Sequence, residues 1–204
     1  EAAVVNLLSP GDEAIVVEGG KFGARWRAIC QAYGVTAHTV SVAWGRVAKV
    51  EEAESALAAH PKAKAMFVTH SETSTGALFP VHEMARIARA RGVATIVDAV
   101  TSYGVYDLSF DRSELDGVVW GSQKGMMIPP GLGFVCLSPR GWELAQSSKL
   151  PKFYLNLAKA KNSLEKGDTP FTPAISLVLG ARTAMLLMAD EGRAAVFARH
   201  QRNA

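Results

Sequence analysis

The chain has 204 residues, enough for one substantial domain whose core needs no disulfide or metal staple. Its 22 basic and 19 acidic residues leave a net charge of only +3, and the basic residues form neither a run nor a stripe interleaved with aromatics, which argues against a nucleic-acid surface. No apolar run approaches membrane-spanning length and no charged segment followed by an apolar one opens the chain, so a cytoplasmic protein is expected.

The first segment, EAAVVNLL, has helical character without a start signal and turns at SPGD. A strand is predicted over AIVVE, residues 14–18, and after it Phe22, Trp26, Ile29 and Tyr33 mark one face of a helix that Gly34 ends. Further strands are predicted over HTVSV (38–42), AMFVT (65–69), ATIVD (94–98), GVVW (117–120) and GFVCL (133–137). Helical patterns separate the earlier ones, VEEAESALAAH before AMFVT, and VHEMARIARARG, stopped at Gly92, before ATIVD. Near-continuous apolar strands alternating with helices predict an α/β fold, a mostly parallel sheet covered on both faces. A long helix, AISLVLGARTAMLLMADEG, precedes the helical AVFARHQRNA. Both ends lie inside helical patterns, so part of a longer polypeptide is expected.

Two cysteines, Cys30 and Cys136, sit in apolar surroundings and are expected to be buried, reduced thiols. His38, His60, His82 and His200 are scattered without ligand spacing, which predicts no metal site. His70 adjoins the SETSTG loop and could hydrogen-bond near it.

In such sheets ligands gather at the carboxyl ends of the strands. HSETSTG (70–76) follows one strand, Asp98 closes the next, and Lys124 follows GVVW by a few residues. Three loops therefore bring hydroxyls, a carboxylate and an amine to one edge. Each has an ordinary explanation as a turn or solvated residue. Lys124, however, stands in WGSQKGMMIPPGLGF, among small residues and before a Pro-Gly turn. A lysine with the reference pKa is deprotonated in only about one molecule in 2,500 at pH 7, so nucleophilic use demands a special environment. Imine chemistry with an aldehyde cofactor meets that demand, and pyridoxal phosphate further requires a carboxylate against its ring nitrogen.

VDAVTS followed by WGSQKGMMIPPGLGF, with HSETSTG and GKFGARW upstream, resembles the class V pyridoxal-phosphate aminotransferases, in the alanine–glyoxylate and serine–glyoxylate branch. The resemblance covers essentially the whole chain in the right order. It implies the three-layer large domain of the type I fold, built as a homodimer, with pyridoxal 5'-phosphate as cofactor. Residues 1–189 would form the cofactor-binding large domain, short of its N-terminal part, and residues 190–204 would begin a small C-terminal domain.

The roles implied fall on particular residues. Lys124 would form the imine with the cofactor aldehyde and then shuttle the proton between the substrate α-carbon and the cofactor. Asp98 would hold the pyridinium nitrogen. Phe22 would stack on the ring and Val100 would pack on its opposite face. Thr73 would contact the ring side, Gln123 would approach the phosphate, and Thr172 in TPFTPA would reach that phosphate from a neighbouring subunit. The substrates implied are a small amino acid, serine or alanine above all, and an oxoacid such as glyoxylate or pyruvate. The family's phosphate-binding Ser-Gly-Thr segment and its substrate-carboxylate arginine fall outside residues 1–204, so a 204-residue polypeptide alone is expected to be inactive.

Rival readings remain open at this stage. A cysteine desulfurase shares fold and cofactor, although its motif has histidine where Gln123 stands and usually histidine where Phe22 stands. A Rossmann domain would need a G-x-G-x-x-G after the first strand, which is missing. An inactive relic could keep the fold and the dimer, but would have no need to retain both Lys124 and Asp98.

Overall fold

The apolar runs assemble into a six-stranded sheet. The computed structural model describes residues 1–204. It contains α1 Ala2–Leu7, β1 Glu13–Glu18, α2 Lys21–Ala32, β2 Thr36–Ser41, α3 Val50–Ala59 and β3 Ala63–Thr69. A short antiparallel hairpin, β4 Ser71–Glu72 with β5 Ala77–Leu78, leads to α4 Val81–Ala90 and then β6 Ala94–Asp98. After these come β7 Gly117–Gly121, β8 Gly133–Leu137, α5 Pro139–Ser147, α6 Leu157–Leu164, α7 Ile175–Glu191 and α8 Arg193–Asn203.

The sheet order is β2-β1-β3-β6-β7-β8, parallel throughout except for the last pair. The chain steps outward from β1 to β2 and then returns to the other side of β1 as β3. That reversal opens a crevice between the carboxyl ends of β1 and β3.

Side chains alternate across the sheet and each face has its own helical layer. Ile15, Val17, Met66, Val68 and Val97 meet Leu57 of α3 and Met84 and Ala88 of α4 on one face. Val16, Phe67, Ala94 and Ile96 meet α1, Trp26 and Cys30 of α2, and Ala145 of α5 on the other. Trp26 stacks on Phe67 with ring centroids 4.7 Å apart, worth about 1 kcal/mol beyond the area buried. This is the predicted three-layer α/β arrangement, with a mostly parallel sheet.

Several particulars differ from the sequence reading. The second strand lies two residues earlier than HTVSV at its start, and α5, α6 and the β4–β5 hairpin were not anticipated. Both cysteines are free, but only Cys30 is buried. Cys136 is exposed because β8 is an edge strand, and on its face α3 and α4 cover the middle of the sheet without reaching that edge. No helix is long and apolar enough to cross a membrane.

Candidate active site

Parallel strands deliver their following loops to a common edge. Asp98 is the last residue of β6, paired with Thr69 at the end of β3 and with Val119 of β7. Lys124 lies three residues past the end of β7. Carboxylate and amine therefore leave adjacent strands at the same end of the sheet. Asp98 and Thr69 lie two residues beyond Ile96 and Phe67, and so share the face covered by α2.

Asp98 Oδ1 accepts the Val100 N–H at 2.8 Å and has no other hydrogen-bonding partner in the chain. Burial pushes its carboxyl above the ordinary carboxylate range; the negative charge of Glu72 adds to this, while the Val100 N–H and Arg25 oppose it. The site thus holds a carboxyl poised to take a cationic or N–H partner on its free oxygen.

Lys124 is held through its backbone. Its carbonyl accepts the Met127 N–H at 2.9 Å, and Met127 adopts φ 54°, in the left-handed region. The Ser122 hydroxyl donates to the Pro129 carbonyl at 2.8 Å, and the Ser122 N–H donates to the Leu132 carbonyl at 3.1 Å, closing the loop on itself. Gly125 packs so tightly under the Tyr103 carbonyl that a Cβ there would stand 2.1 Å from its oxygen. The Lys124 side chain itself is exposed and forms no hydrogen bond or ion pair within the chain. Next to it, the Gln123 side chain folds back over Gly121.

The crevice between β1 and β3 supplies the remaining groups. Thr73, in the turn between β4 and β5, shares a 2.6 Å hydrogen bond with Thr101, in the loop after β6. Phe22 opens α2, half-buried, with the Arg25 guanidinium 5.0 Å from its ring centroid. Val100 is half-buried beside Asp98. Thr172 stands apart from this group: it is exposed in the segment before α7, next to Phe171, which packs on Phe153 and Tyr154.

One residue that the sequence reading passed over organises the crevice. Glu72 is 1% exposed. Its carboxylate accepts the N–H groups of Phe22 at 3.1 Å, Gly23 at 2.9 Å and Ser74 at 3.2 Å, and the Ser74 hydroxyl at 2.7 Å. Helix α2 starts after Gly20 without a capping side chain of its own, so a carboxylate from another loop satisfies its first N–H groups and complements its dipole. Gly20 is required at this junction, since a Cβ would meet Ser74 Oγ at 2.5 Å and the Glu72 side chain at 2.6 Å. The available signal in the sequence was a helix beginning at Gly20-Lys21 with no Ser, Thr, Asp or Asn to cap it. Glu72→Gln places an amide donor among these donors, and we expect it to cost about 2 kcal/mol of stability, read as a lowered urea midpoint with an unchanged slope.

His70 lies next to these strand ends. It is 7% exposed, its N–H donates to the Asp98 carbonyl at 2.9 Å, and its ring meets Tyr106 edge-on with centroids 5.8 Å apart. Burial, with the nearby charge of His82, pushes its imidazole down to about 4, so the ring is neutral at pH 7. Its Nδ1, with Thr69 Oγ1 and Ser102 Oγ, is buried without a hydrogen-bond partner.

Comparisons with known proteins bear on the family and the fold. The family model for aminotransferase class-V matches residues 1–204. A protein of Synechococcus sp. (strain PCC 6716), named as the small subunit of a soluble hydrogenase, is 46% identical over 99% of this chain and 53% of its own length. An L-aspartate–glyoxylate aminotransferase of Paracoccus denitrificans is 33% identical over 99% of this chain and 52% of its own. Among solved structures, an alanine–glyoxylate aminotransferase of Nostoc sp. superposes with a TM-score of 0.94 at 32% identity, covering 99% of this chain and 54% of that one. The chain spans about half the length of the curated relatives it matches.

Proposed function

Because the chain belongs to the class V aminotransferases, a pyridoxal-phosphate-dependent family, we propose that it carries the cofactor-binding half of an enzyme that moves an amino group from a small amino acid to an oxoacid. One observation carries the reading. Asp98 and Lys124 emerge side by side from the carboxyl ends of adjacent parallel strands, next to the crevice that holds Phe22 and Thr73.

The residues fit the cofactor. A half-buried carboxyl with one free oxygen suits a protonated pyridine nitrogen, and an amine with no ion pair is free for an aldehyde. A buried polar atom without a partner, Thr69 Oγ1, belongs to the residue paired with Asp98. Pyridoxal phosphate, when bound, supplies an electrophilic aldehyde and a conjugated ring that accepts electrons from the substrate α-carbon.

The chain's own residues then divide the work. Asp98 holds a negative charge against the ring nitrogen and so favours its protonated form. Phe22 would offer the ring an apolar surface on one face and Val100 on the other, and so keep water away. Thr73, fixed by Thr101, offers a hydroxyl at the ring side. Gln123 would swing out from Gly121 to serve the phosphate, joined by Thr172 from a second copy of the chain in a homodimer. Lys124 Nζ, once free, takes the proton from the α-carbon of the amino donor. Glu72 acts at one remove, fixing where Phe22 and Thr73 stand.

Two half-reactions follow. The donor gives up its amine and leaves as an oxoacid, and a second oxoacid collects the amine. Serine or alanine as donor and glyoxylate or pyruvate as acceptor fit the reading. The soluble-hydrogenase name of one relative adds no chemistry that these residues carry, since the chain's cysteines number two and lie apart, in α2 and β8. A donor and acceptor panel on the full-length protein tests the proposal. Turnover of serine or alanine with glyoxylate or pyruvate supports it, and no turnover with any amino donor contradicts it.

A further inference from the structure

We propose that Glu13, His38 and His60 form a binding site for a divalent transition metal of the zinc type, at the end of the sheet opposite the candidate active site. Glu13 is the first residue of β1, and His38 lies in β2 opposite Ile15. Residues paired in parallel register share a face, so the Glu13 and His38 side chains lie on the same side of the sheet edge. His60 ends α3 on that side. The chain returns from His60 directly into β3, whose Ala63 pairs with Glu13.

The three side chains meet there. His38 Nε2 and Glu13 Oε2 are 2.8 Å apart, and the His38 and His60 rings lie parallel, 9° between planes, with centroids 3.5 Å apart. One ligand atom from each residue falls within 4.8 Å of the other two. Two ligands on a tetrahedral zinc stand about 3.3 Å apart, so the three atoms come within reach of one ion once the parallel rings tilt apart and aim their in-plane lone pairs at it. The hydrogen bond accounts for His38 with Glu13 and ring stacking for His60 on His38, but neither requires the His60 ring to bring a nitrogen to the same point. All three residues are half-buried and Glu13 makes no ion pair with Lys or Arg, so an ion can enter from solvent. Two imidazole nitrogens and one carboxylate oxygen form a borderline donor set that suits zinc, with water completing the tetrahedron. The sequence spacing gave no hint of the site, because its ligands lie 25 and 22 residues apart on three elements.

A bound ion would pin the edge strand β2 and the end of α3 to β1, and its effect would appear as stability. The test is zinc chloride titrated into chelator-treated full-length protein, followed by calorimetry and thermal melts. We expect one equivalent bound with micromolar affinity, and a melting temperature raised by about 5 °C at roughly a hundredfold excess over Kd. His60→Ala and Glu13→Gln should each weaken binding at least about tenfold, and each should still melt in one cooperative transition without metal. Cys136→Ser, which removes the exposed thiol, should leave binding intact. Absence of saturable binding, binding that survives His60→Ala, or binding lost in Cys136→Ser would overturn the proposal.

Discussion

Lys124→Ala is expected to lower the turnover of the full-length protein by about four orders of magnitude, at the upper end of what a positioned acid–base group supplies. No neighbouring group can replace it. The loop from Ser122 to Leu132 is closed by its own hydrogen bonds, and the neighbouring strand ends contribute the carboxyls of Glu72 and Asp98, with Arg25 beside them, and the imidazole of His70. That imidazole is pushed down to about 4 and buried, so it is a poor substitute for a mobile amine. Lys149→Ala, an exposed lysine in the segment after α5, is the control and should retain wild-type rates. Steady-state kinetics on the two variants decide the point, and a Lys124→Ala enzyme within tenfold of wild type would remove the residue from the mechanism.

Asp98→Asn is expected to act in two opposite directions. Turnover falls by at least about a hundredfold, the scale of losing one preorganised charge, because an amide cannot hold the protonated ring. The cofactor-free protein, in contrast, becomes more stable at neutral pH. Burial raises the Asp98 carboxyl above its ordinary value of 3.8. For an acid raised on folding, the contribution is favourable while the group stays protonated and is lost as pH rises through the folded value. Asparagine escapes that loss and still offers an oxygen to the Val100 N–H. The urea midpoints of variant and wild type should therefore converge at low pH and separate as pH rises above about 4. Equal midpoints across the range would mean that the carboxyl carries no burial cost.

The combination of lower activity and higher stability also bears on the relic reading. A fold kept only for its dimer gains nothing by retaining a carboxylate that weakens it.

What could be read from the sequence follows from the range of the interactions involved. Strands β6 and β8 begin and end where the runs ATIVD and GFVCL do, since a run of apolar residues bounded by turn residues is local information. Helix α5 carries a local start signal that the sequence reading did not use, with Ser138 accepting from the Gly141 N–H and Pro139 in the first turn. The β4–β5 hairpin has two residues in each strand, too few for any periodicity to register.

The site divides the same way. Asp98 and Lys124 were placed by their positions at strand ends, and the lysine motif carried the chemistry. Glu72 was missed because its partners Phe22 and Gly23 lie 50 and 49 residues away in sequence, and nothing local distinguishes a buried helix cap from a polar turn residue. The meeting of His38 with His60 was hidden for the same reason. Cys136 was assigned to the core from its apolar neighbours, whereas the sheet order leaves its strand at an edge.

The most direct measurement is chemical trapping. Full-length protein supplied with pyridoxal phosphate is reduced with borohydride, digested and mapped by mass spectrometry. A pyridoxyl group on the peptide at Lys124, lost in Lys124→Ala and retained in Lys149→Ala, is the predicted result. An adduct confined to another lysine, or no covalent adduct at all, would contradict the account.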